Sequence, residues 1–267
     1  MRTNQILPAL PRLASHLLQG ANLAFLSLLA RGQSRKAISY LTTSLFYYQL
    51  SSGKGLSQKP LDEIIPQKEN VTDIRLARDT WLSQWQSFVG VDLVSLCLVT
   101  RLTQPRTIFE IGTFEGISTL HFALNCPSDA RIYTLDLPRD EPAAPNLRVT
   151  LADEELLVPK GRMSTVFGKY PEESKNITEL HGDSAFYDFE PYLGKVDLFF
   201  VDGSHSYEYV KSDSENAFRC VRSGGVILWH DYGRYGPHEV SKYLHEIAKH
   251  KQIYRVPGGS LAIHVVP

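Results

Sequence analysis

The chain has 267 residues, of which 43% are hydrophobic and 21% charged, an ordinary balance for a globular protein with a sizeable core. Its formal net charge of -1 offers no general attraction for nucleic acid, so nucleic acid is not an expected partner. The three cysteines lack CxxC spacing, so neither a zinc knuckle nor a disulfide framework is indicated, and free thiols in a reducing compartment are expected.

The first 70 residues show no strand pattern and are predicted to form a helical N-terminal extension, with helices near 13–30 and 33–50. The polar stretch 51–60 is the expected linker. The apolar run 23–30 is too short to span a bilayer and lacks the flanks of a signal peptide, so we expect a cytoplasmic protein without a membrane span. We interpret the extension as packing on the main domain; a substrate lid, a membrane-surface anchor and a dimerisation element of a homo-oligomer remain alternatives.

Helical spacing of apolar residues begins near residue 73, and the main domain is predicted to span 71–267. Trp81, Trp85 and Phe88 fall on one face of an amphipathic helix, and the same pattern predicts another helix around 93–98. Further helices are predicted near 118–124, 186–193, 207–221 and 239–249.

Five apolar, β-rich runs alternate with these helices: TIFEIG, ARIYTLDL, NITELHG, VDLFFVDG and GGVILWHDY. Strands that are apolar throughout and separated by helices indicate a parallel sheet covered on both faces. The last two runs, QIYRV and SLAIHVV, are joined by a short PGG turn and predict an antiparallel hairpin at the sheet edge. The predicted fold is therefore α/β, with a doubly wound, mostly parallel seven-stranded sheet of Rossmann-like type.

The stretch FEIGTFEGISTL, residues 109–120, occupies the first strand-to-helix turn. A dinucleotide site has a glycine where this chain has Phe114, whose side chain would obstruct a pyrophosphate. Glu110 would repel phosphate and attract an ammonium group. Both features suit a ligand with adenosine, no phosphate and an amino-acid tail, which is S-adenosylmethionine (SAM). The alternative is an ordinary turn with glycines for geometry.

Glu110, Gly112, Gly116 and Ser118 together resemble the first motif of class I SAM-dependent methyltransferases, in the form used by catechol-type and caffeoyl-CoA-type O-methyltransferases. The resemblance implies that the acid orients the methionine amino group. It also implies that Ser118 binds the methionine carboxylate near a helix start, where the helix dipole favours an anion.

Two more acids follow strands. Asp136 ends the second predicted strand and Asp183 follows the third. The same resemblance implies that Asp136 accepts hydrogen bonds from the ribose hydroxyls and Asp183 from the adenine amino group. The alternative for each is a turn or helix cap, a common use of aspartate.

The segments VDLFFVDGSHSYEYVKSD and GGVILWHDYG closely resemble a bacterial family that includes sugar O-methyltransferases of the macrocin and novobiocin pathways and cephalosporin-biosynthesis relatives. This resemblance runs from about Phe88 to the C-terminus. It implies methyl transfer and, because matching acids bind magnesium in the sugar-modifying relatives, a metal site.

Asp202 ends the fourth predicted strand, and His230 and Asp231 end the fifth. Together they predict a site for a divalent metal, Mg²⁺ by preference, although an imidazole also suits Mn²⁺, Fe²⁺ or Zn²⁺. Asp202 and His205 are the candidate catalytic residues, His205 as a base whose ordinary pKa suits a hydroxyl near neutral pH. Alternatively, Asp202 orients SAM or water, and the other side chains only cap turns or make structural hydrogen bonds.

The sequence therefore predicts an enzyme that transfers the methyl group of SAM to a small hydroxylated acceptor, a sugar or natural product, in a metal-assisted O-methylation. The alternatives are a metal-independent N- or O-methyltransferase, an NAD-binding oxidoreductase and a non-catalytic SAM-binding module. The resemblance to catechol-type and sugar-modifying enzymes implies that the polar insert between Pro138 and Pro171 closes over the acceptor. Its basic residues, such as Arg148, either meet an anionic substrate or are surface charges.

Overall fold

The computed structural model describes residues 55–65, 71, 73–77, 90–138, 144–150, 153–154, 157, 165–233 and 238–267. The helices predicted near 13–30 and 33–50, and the one carrying Trp81, lie outside the described residues. The N-terminal extension and its boundary at residue 70 therefore stay predictions. The sheet lies in one compact unit of the chain, formed by Leu56–Tyr232 together with Glu239–Pro267.

Seven strands form one sheet in the order β3-β2-β1-β4-β5-β7-β6. The first five strands are mutually parallel, whereas β7 runs antiparallel to both β5 and β6. This confirms the predicted mostly parallel sheet and its C-terminal hairpin. The strands are β1 Thr107–Ile111, β2 Arg131–Asp136, β3 Ile177–His181, β4 Val196–Val201, β5 Val221–Trp229, β6 Tyr254–Arg255 and β7 Ala262–Val265.

Helices connect most of the strands. Ser206 caps one of them by accepting a hydrogen bond from the backbone N–H of Tyr209. The helix predicted near 186–193 is instead a single 3₁₀ turn, Glu190–Tyr192, which contains a proline in its first turn. The α-helices are α1 Leu61–Ile64, α2 Gly90–Thr103, α3 Ile117–Asn125, α4 Pro171–Ser174, α5 Tyr207–Cys220 and α6 His238–Ile247; a second 3₁₀ turn spans Val166–Lys169.

The core lies on both faces of the sheet because successive strand residues point to opposite sides. In β1, Phe109 belongs to the cluster that also contains residues of α5 and α6, whereas Ile108 belongs to the cluster with residues of α2 and α3. Full burial of such a side chain contributes about 1.5–3 kcal/mol. Burial on both faces explains why the strands are apolar throughout, and it leaves the strand ends as the place for polar chemistry.

Candidate active site

The site lies where the order of the sheet reverses. β1 neighbours both β2 and β4, and the chain after β4 continues to β5 on the other side. Ligands of such sheets bind at the carboxyl ends of the strands flanking this point. The backbone N–H of Asp202 donates to the carbonyl of Ile111 at 2.9 Å, and that of His230 donates to the carbonyl of Val201 at 3.1 Å. The residues that follow β1, β4 and β5 therefore meet at one edge.

The loop after β1 requires its two glycines. Gly112 has a φ of +98°, and a Cβ at this position would lie 2.0 Å from the carbonyl oxygen of Asp202. Gly116 has a φ of +76°, and a Cβ there would lie 2.6 Å from the ring of Phe167. Only glycine allows both the positive φ and this close approach. The glycines thus serve backbone geometry, and their predicted contact with SAM stays a prediction.

Glu110 is held by hydrogen bonds within the protein. Its side chain is fully buried, and it accepts hydrogen bonds from the hydroxyls of Ser118, Thr119 and Thr134, the last at 2.6 Å. Burial raises the pKa of Glu110 to about 7, although the three hydroxyls oppose this shift. As described, Glu110 joins β1, β2 and the first turn of α3. Direct contacts of Glu110 and Ser118 with the amino-acid part of SAM stay predictions.

Asp136 joins two loops at the ends of neighbouring strands. One carboxylate oxygen accepts a hydrogen bond from the backbone N–H of Phe114 at 2.8 Å, and the other accepts from that of Leu137 at 2.8 Å. Phe114 has a φ of 43°, an uncommon conformation for a bulky residue. The loop after β1 therefore bends towards the acid that the sequence assigns to the ribose.

Asp183 accepts several hydrogen bonds from groups of the protein. One oxygen accepts from the backbone N–H and the side-chain amide of Asn146, both at 2.9 Å, and from the hydroxyl of Tyr209 at 2.8 Å. The other accepts from the backbone N–H of Ala185 at 2.9 Å. Burial alone would raise the pKa of Asp183, but these hydrogen bonds outweigh it and hold the pKa below its usual range. This is the capping alternative, and the adenine contact stays a prediction.

Asp202, His230 and Asp231 are brought together as the sequence predicts. Their candidate ligand atoms all lie within 4.8 Å of one another. The Nδ1 atom of His230 lies 2.9 Å from Oδ1 of Asp202 and 3.4 Å from Oδ2 of Asp231. A cavity of about 10 Å³, room for roughly one water-sized group, is lined by all three residues. Two carboxylates and an imidazole around such a cavity fit a divalent cation.

Acidic and basic groups lie close together in this cluster. Burial would lower the pKa of His230, but the carboxylates of Asp202 and Asp231 outweigh it and raise the pKa well above its usual value. Burial would raise the pKa of Asp231, but the nearby imidazoles hold it well below its usual range. Burial leaves the pKa of Asp202 raised. The φ of Asp231 is 61°, a left-handed conformation of the kind that clusters at functional sites.

His205 connects this cluster to the insert. Its Nδ1 donates to Asp153, and its Nε2 donates to Oδ2 of Asp231 at 2.7 Å. Burial would lower the pKa of His205, but the two carboxylates raise it to about 10. With both ring nitrogens bound to carboxylates, His205 is not the free imidazole base that the sequence predicts. The sequence alone does not show these two acids around the ring.

Two acids of the site were missed by the sequence analysis. Asp92 of α2 is buried and accepts hydrogen bonds from the backbone N–H and hydroxyl of Ser260, and its Oδ2 lies 3.6 Å from Nε2 of His230. Asp153 lies in the insert, and neither acid follows a strand. A local signal exists only for Asp153, since Thr150 precedes it by three residues, the spacing of a capping box.

Comparison with known proteins gives consistent matches. Residues 109–232 match a family model described as a methyltransferase domain. A caffeoyl-CoA O-methyltransferase of Stellaria longipes is 26% identical over 185 residues, which cover 67% of this chain and 69% of that protein.

Two solved structures share the fold. The O-methyltransferase TomG of Streptomyces achromogenes, involved in tomaymycin synthesis and solved with SAM, has a TM-score of 0.50 at 17% identity, covering 73% of this chain and 92% of TomG. The methyltransferase PaMTH1 of Podospora anserina, bound to SAH (S-adenosylhomocysteine), has a TM-score of 0.51 at 14% identity, covering 73% of this chain and 91% of that chain.

In the described part of the chain, no helix combines the length and hydrophobicity of a membrane span.

Proposed function

We propose that this chain, a SAM-dependent methyltransferase with the α/β fold of that enzyme class, methylates a hydroxyl oxygen of a small acceptor. We further propose that Asp202, His230 and Asp231 hold a divalent cation, Mg²⁺ by preference, beside the methyl donor. The observation that carries this proposal is the convergence of these three ligands, within 4.8 Å, at the sheet edge next to the loop after β1.

The choice of oxygen as acceptor draws on the relatives. The curated relative is a caffeoyl-CoA O-methyltransferase, and the solved relative TomG is an O-methyltransferase of tomaymycin synthesis. Both names describe oxygen methylation of those proteins. For this chain we propose the same reaction type, on a hydroxylated small molecule such as a sugar or an aromatic natural product.

In the proposed donor site, the backbone of Gly112 and Gly116 faces SAM. Asp136 accepts hydrogen bonds from the ribose hydroxyls, and Asp183 lies near the adenine. The hydrogen bonds of Asp136 to two backbone N–H groups support its part, because they hold its carboxylate at the end of β2 before any ligand binds. Ligand sites that are largely formed in advance lose less entropy on binding.

The chemistry is an in-line displacement. The acceptor oxygen forms a bond to the methyl carbon, the bond from that carbon to sulfur breaks, SAH leaves and the hydroxyl proton is released. A bound divalent cation would lower the pKa of the acceptor hydroxyl and fix its oxygen. Alignment of donor and acceptor by the protein lowers the barrier further by removing the entropy cost of their encounter.

The proton acceptor is proposed to be Asp202 rather than His205. Both ring nitrogens of His205 donate to carboxylates, so neither has a lone pair directed at a substrate. The carboxylate of Asp202 is partly exposed and lines the cavity. We therefore assign His205 to holding Asp231.

The test is methyl transfer from labelled SAM by the full-length protein, with catechol-type and caffeoyl-type diols, sugars and amines as acceptors. We expect SAH to form with a hydroxylated acceptor, transfer to stop on treatment with EDTA and Mg²⁺ to restore it. Transfer that is insensitive to EDTA would contradict the metal part. Transfer only to amines would contradict the oxygen assignment, and binding of NAD without binding of SAH would contradict both.

A further inference from the structure

The insert between β2 and the 3₁₀ turn Val166–Lys169 is attached to the site edge at several points. Asn146 donates to Asp183, and the guanidinium of Arg148 contacts Glu208 at 2.9 Å, as well as Glu239. These contacts are exposed, and exposed ion pairs contribute little to stability. They place Asn146 and Arg148 at the site edge, but they do not reach the candidate metal ligands.

The contact made by Asp153 differs because it is buried. Its side chain is only 7% exposed. One carboxylate oxygen accepts hydrogen bonds from the hydroxyl of Ser204 at 2.8 Å, from the backbone N–H of His205 at 3.1 Å and from that of Thr150 at 3.2 Å. The other oxygen accepts from Nδ1 of His205. A single carboxylate therefore binds both the backbone and the ring of His205.

The ring of His205 is held from both sides as a result. Its second nitrogen, Nε2, donates to Oδ2 of Asp231 at 2.7 Å. A rotation of the ring would break the contact with Asp153 and the contact with Asp231 together. The carboxylate of Asp231, next to the strained backbone of that residue, is thus oriented by a side chain that Asp153 orients in turn.

We propose that Asp153 is a positioning residue, which acts through His205 to fix the carboxylate of Asp231 in the orientation that binds the cation. This inference rests on the proposed function for the presence of a cation. The orientation of His205 by Asp153 does not depend on it. Hydrogen-bond partners behind metal ligands typically change metal affinity by about 10–100-fold when they are removed.

The experiment compares wild-type protein, Asp153→Asn and the control Glu154→Gln, all full length. Glu154 is the exposed neighbouring acid, and its side chain makes none of these contacts. Titration with Mn²⁺ measures cation affinity, titration with SAH measures the donor site, and NMR detects the ring N–H protons of His205, assigned with His205→Gln. We expect Asp153→Asn to weaken Mn²⁺ binding by about tenfold or more and to lose the protected N–H signal of His205. Thermal unfolding verifies that each variant is folded.

The outcomes separate the two proposals. Equal Mn²⁺ affinity in wild type and Asp153→Asn, or an unchanged His205 signal in that variant, would overturn the inference. Equal weakening by Glu154→Gln would overturn it as well, since the effect would then be one of charge alone. Absence of Mn²⁺ binding to the wild type would contradict the cation of the proposed function, and the NMR signal would then decide whether Asp153 positions His205.

A second variant covers the case in which Asp153→Asn does not fold. Ser204→Ala removes one hydroxyl that donates to Asp153 and leaves the carboxylate in place. We expect it to weaken Mn²⁺ binding in the same direction by about threefold, the effect of one lost hydrogen bond. An affinity equal to that of the wild type would overturn the inference.

Discussion

The Nδ1 atom of His230 lies 2.9 Å from Oδ1 of Asp202, across the ends of two neighbouring parallel strands. Strand β5 ends at Trp229 and β4 at Val201, and these two residues are register partners. The side chains that follow them consequently meet without any further folding of the loops. This pair supplies two of the three candidate metal ligands.

Replacement of one member of this pair is the first prediction. We expect Asp202→Asn to lower methyl transfer by roughly 100-fold, because the variant loses both a ligand and the proposed proton acceptor. Saturating Mg²⁺ is not expected to restore the rate. The measurement is the rate with labelled SAM. Asp129→Asn is the control, because this exposed acid forms its ion pair among the described residues with Arg106. A Mg²⁺-dependent rate equal to the wild type would contradict the role of Asp202.

The second prediction concerns the donor site. Asp136→Ala removes the acceptor for two backbone N–H groups and the proposed acceptor for the ribose. We expect SAH affinity to fall by about 10–100-fold, as hydrogen bonds to a charged group contribute about 1.5–3 kcal/mol. Calorimetric titration with SAH gives the value, with Asp129→Ala as control. If the SAH affinity of the wild type fell on addition of EDTA, the cation would contribute to donor binding, contrary to the proposed donor site.

Gly112 is the subject of the third prediction. An alanine methyl group would overlap the backbone carbonyl of Asp202, which cannot move without displacing β4. We expect Gly112→Ala to lower the free energy of unfolding by about 3 kcal/mol or more. Gly168→Ala is the matched control, since a Cβ at that position has nothing within 4 Å. Urea denaturation compares the two, and equal stability would disprove the close approach.

The fourth prediction is a pH dependence of stability. Burial raises the pKa of Asp213 to about 7; the Ser184 hydroxyl opposes this shift and the charge of Asp183 adds to it. Because this pKa exceeds that of the unfolded chain, the folded state binds the extra proton, and Asp213 lowers the free energy of unfolding as pH rises from about 4 to 7. Asp213→Asn removes this loss.

We therefore expect Asp213→Asn to be more stable than the wild type at about pH 8, by roughly 1–3 kcal/mol, and the difference to shrink towards about pH 4. Urea denaturation at a series of pH values measures it. A variant that is less stable than the wild type across the whole range would show instead that Asp213 is ionised and favourably bound in the folded protein.

Much of the fold could be predicted because its determinants are local. The apolar runs and the turns between them predicted the parallel sheet and its terminal hairpin, and both are confirmed. The same reasoning located Asp202, His230 and Asp231, because parallel strands place their carboxyl ends at a common edge. The prediction of a helix near 186–193 was wrong, since this segment forms only a short 3₁₀ turn, Glu190–Tyr192.

Other features depend on residues far apart in the chain. Glu110 accepts a hydrogen bond from Thr134 of the neighbouring strand, 24 residues later in the chain. The partners of His205 come from an insert 52 residues earlier and from Asp231. No spacing rule relates such positions, because side-chain direction within a loop is set by what packs around it.

The sequence by itself determined the sheet and the positions of the acids at its strand ends, and it predicted the class of ligand for the loop with Phe114 and two glycines. The tertiary structure decided which of these acids accept hydrogen bonds from hydroxyl and amide groups of the protein, and which imidazole lies between two carboxylates. The physical reason is that strand periodicity is a property of neighbouring residues, whereas the charge and orientation of a buried side chain depend on every group that surrounds it.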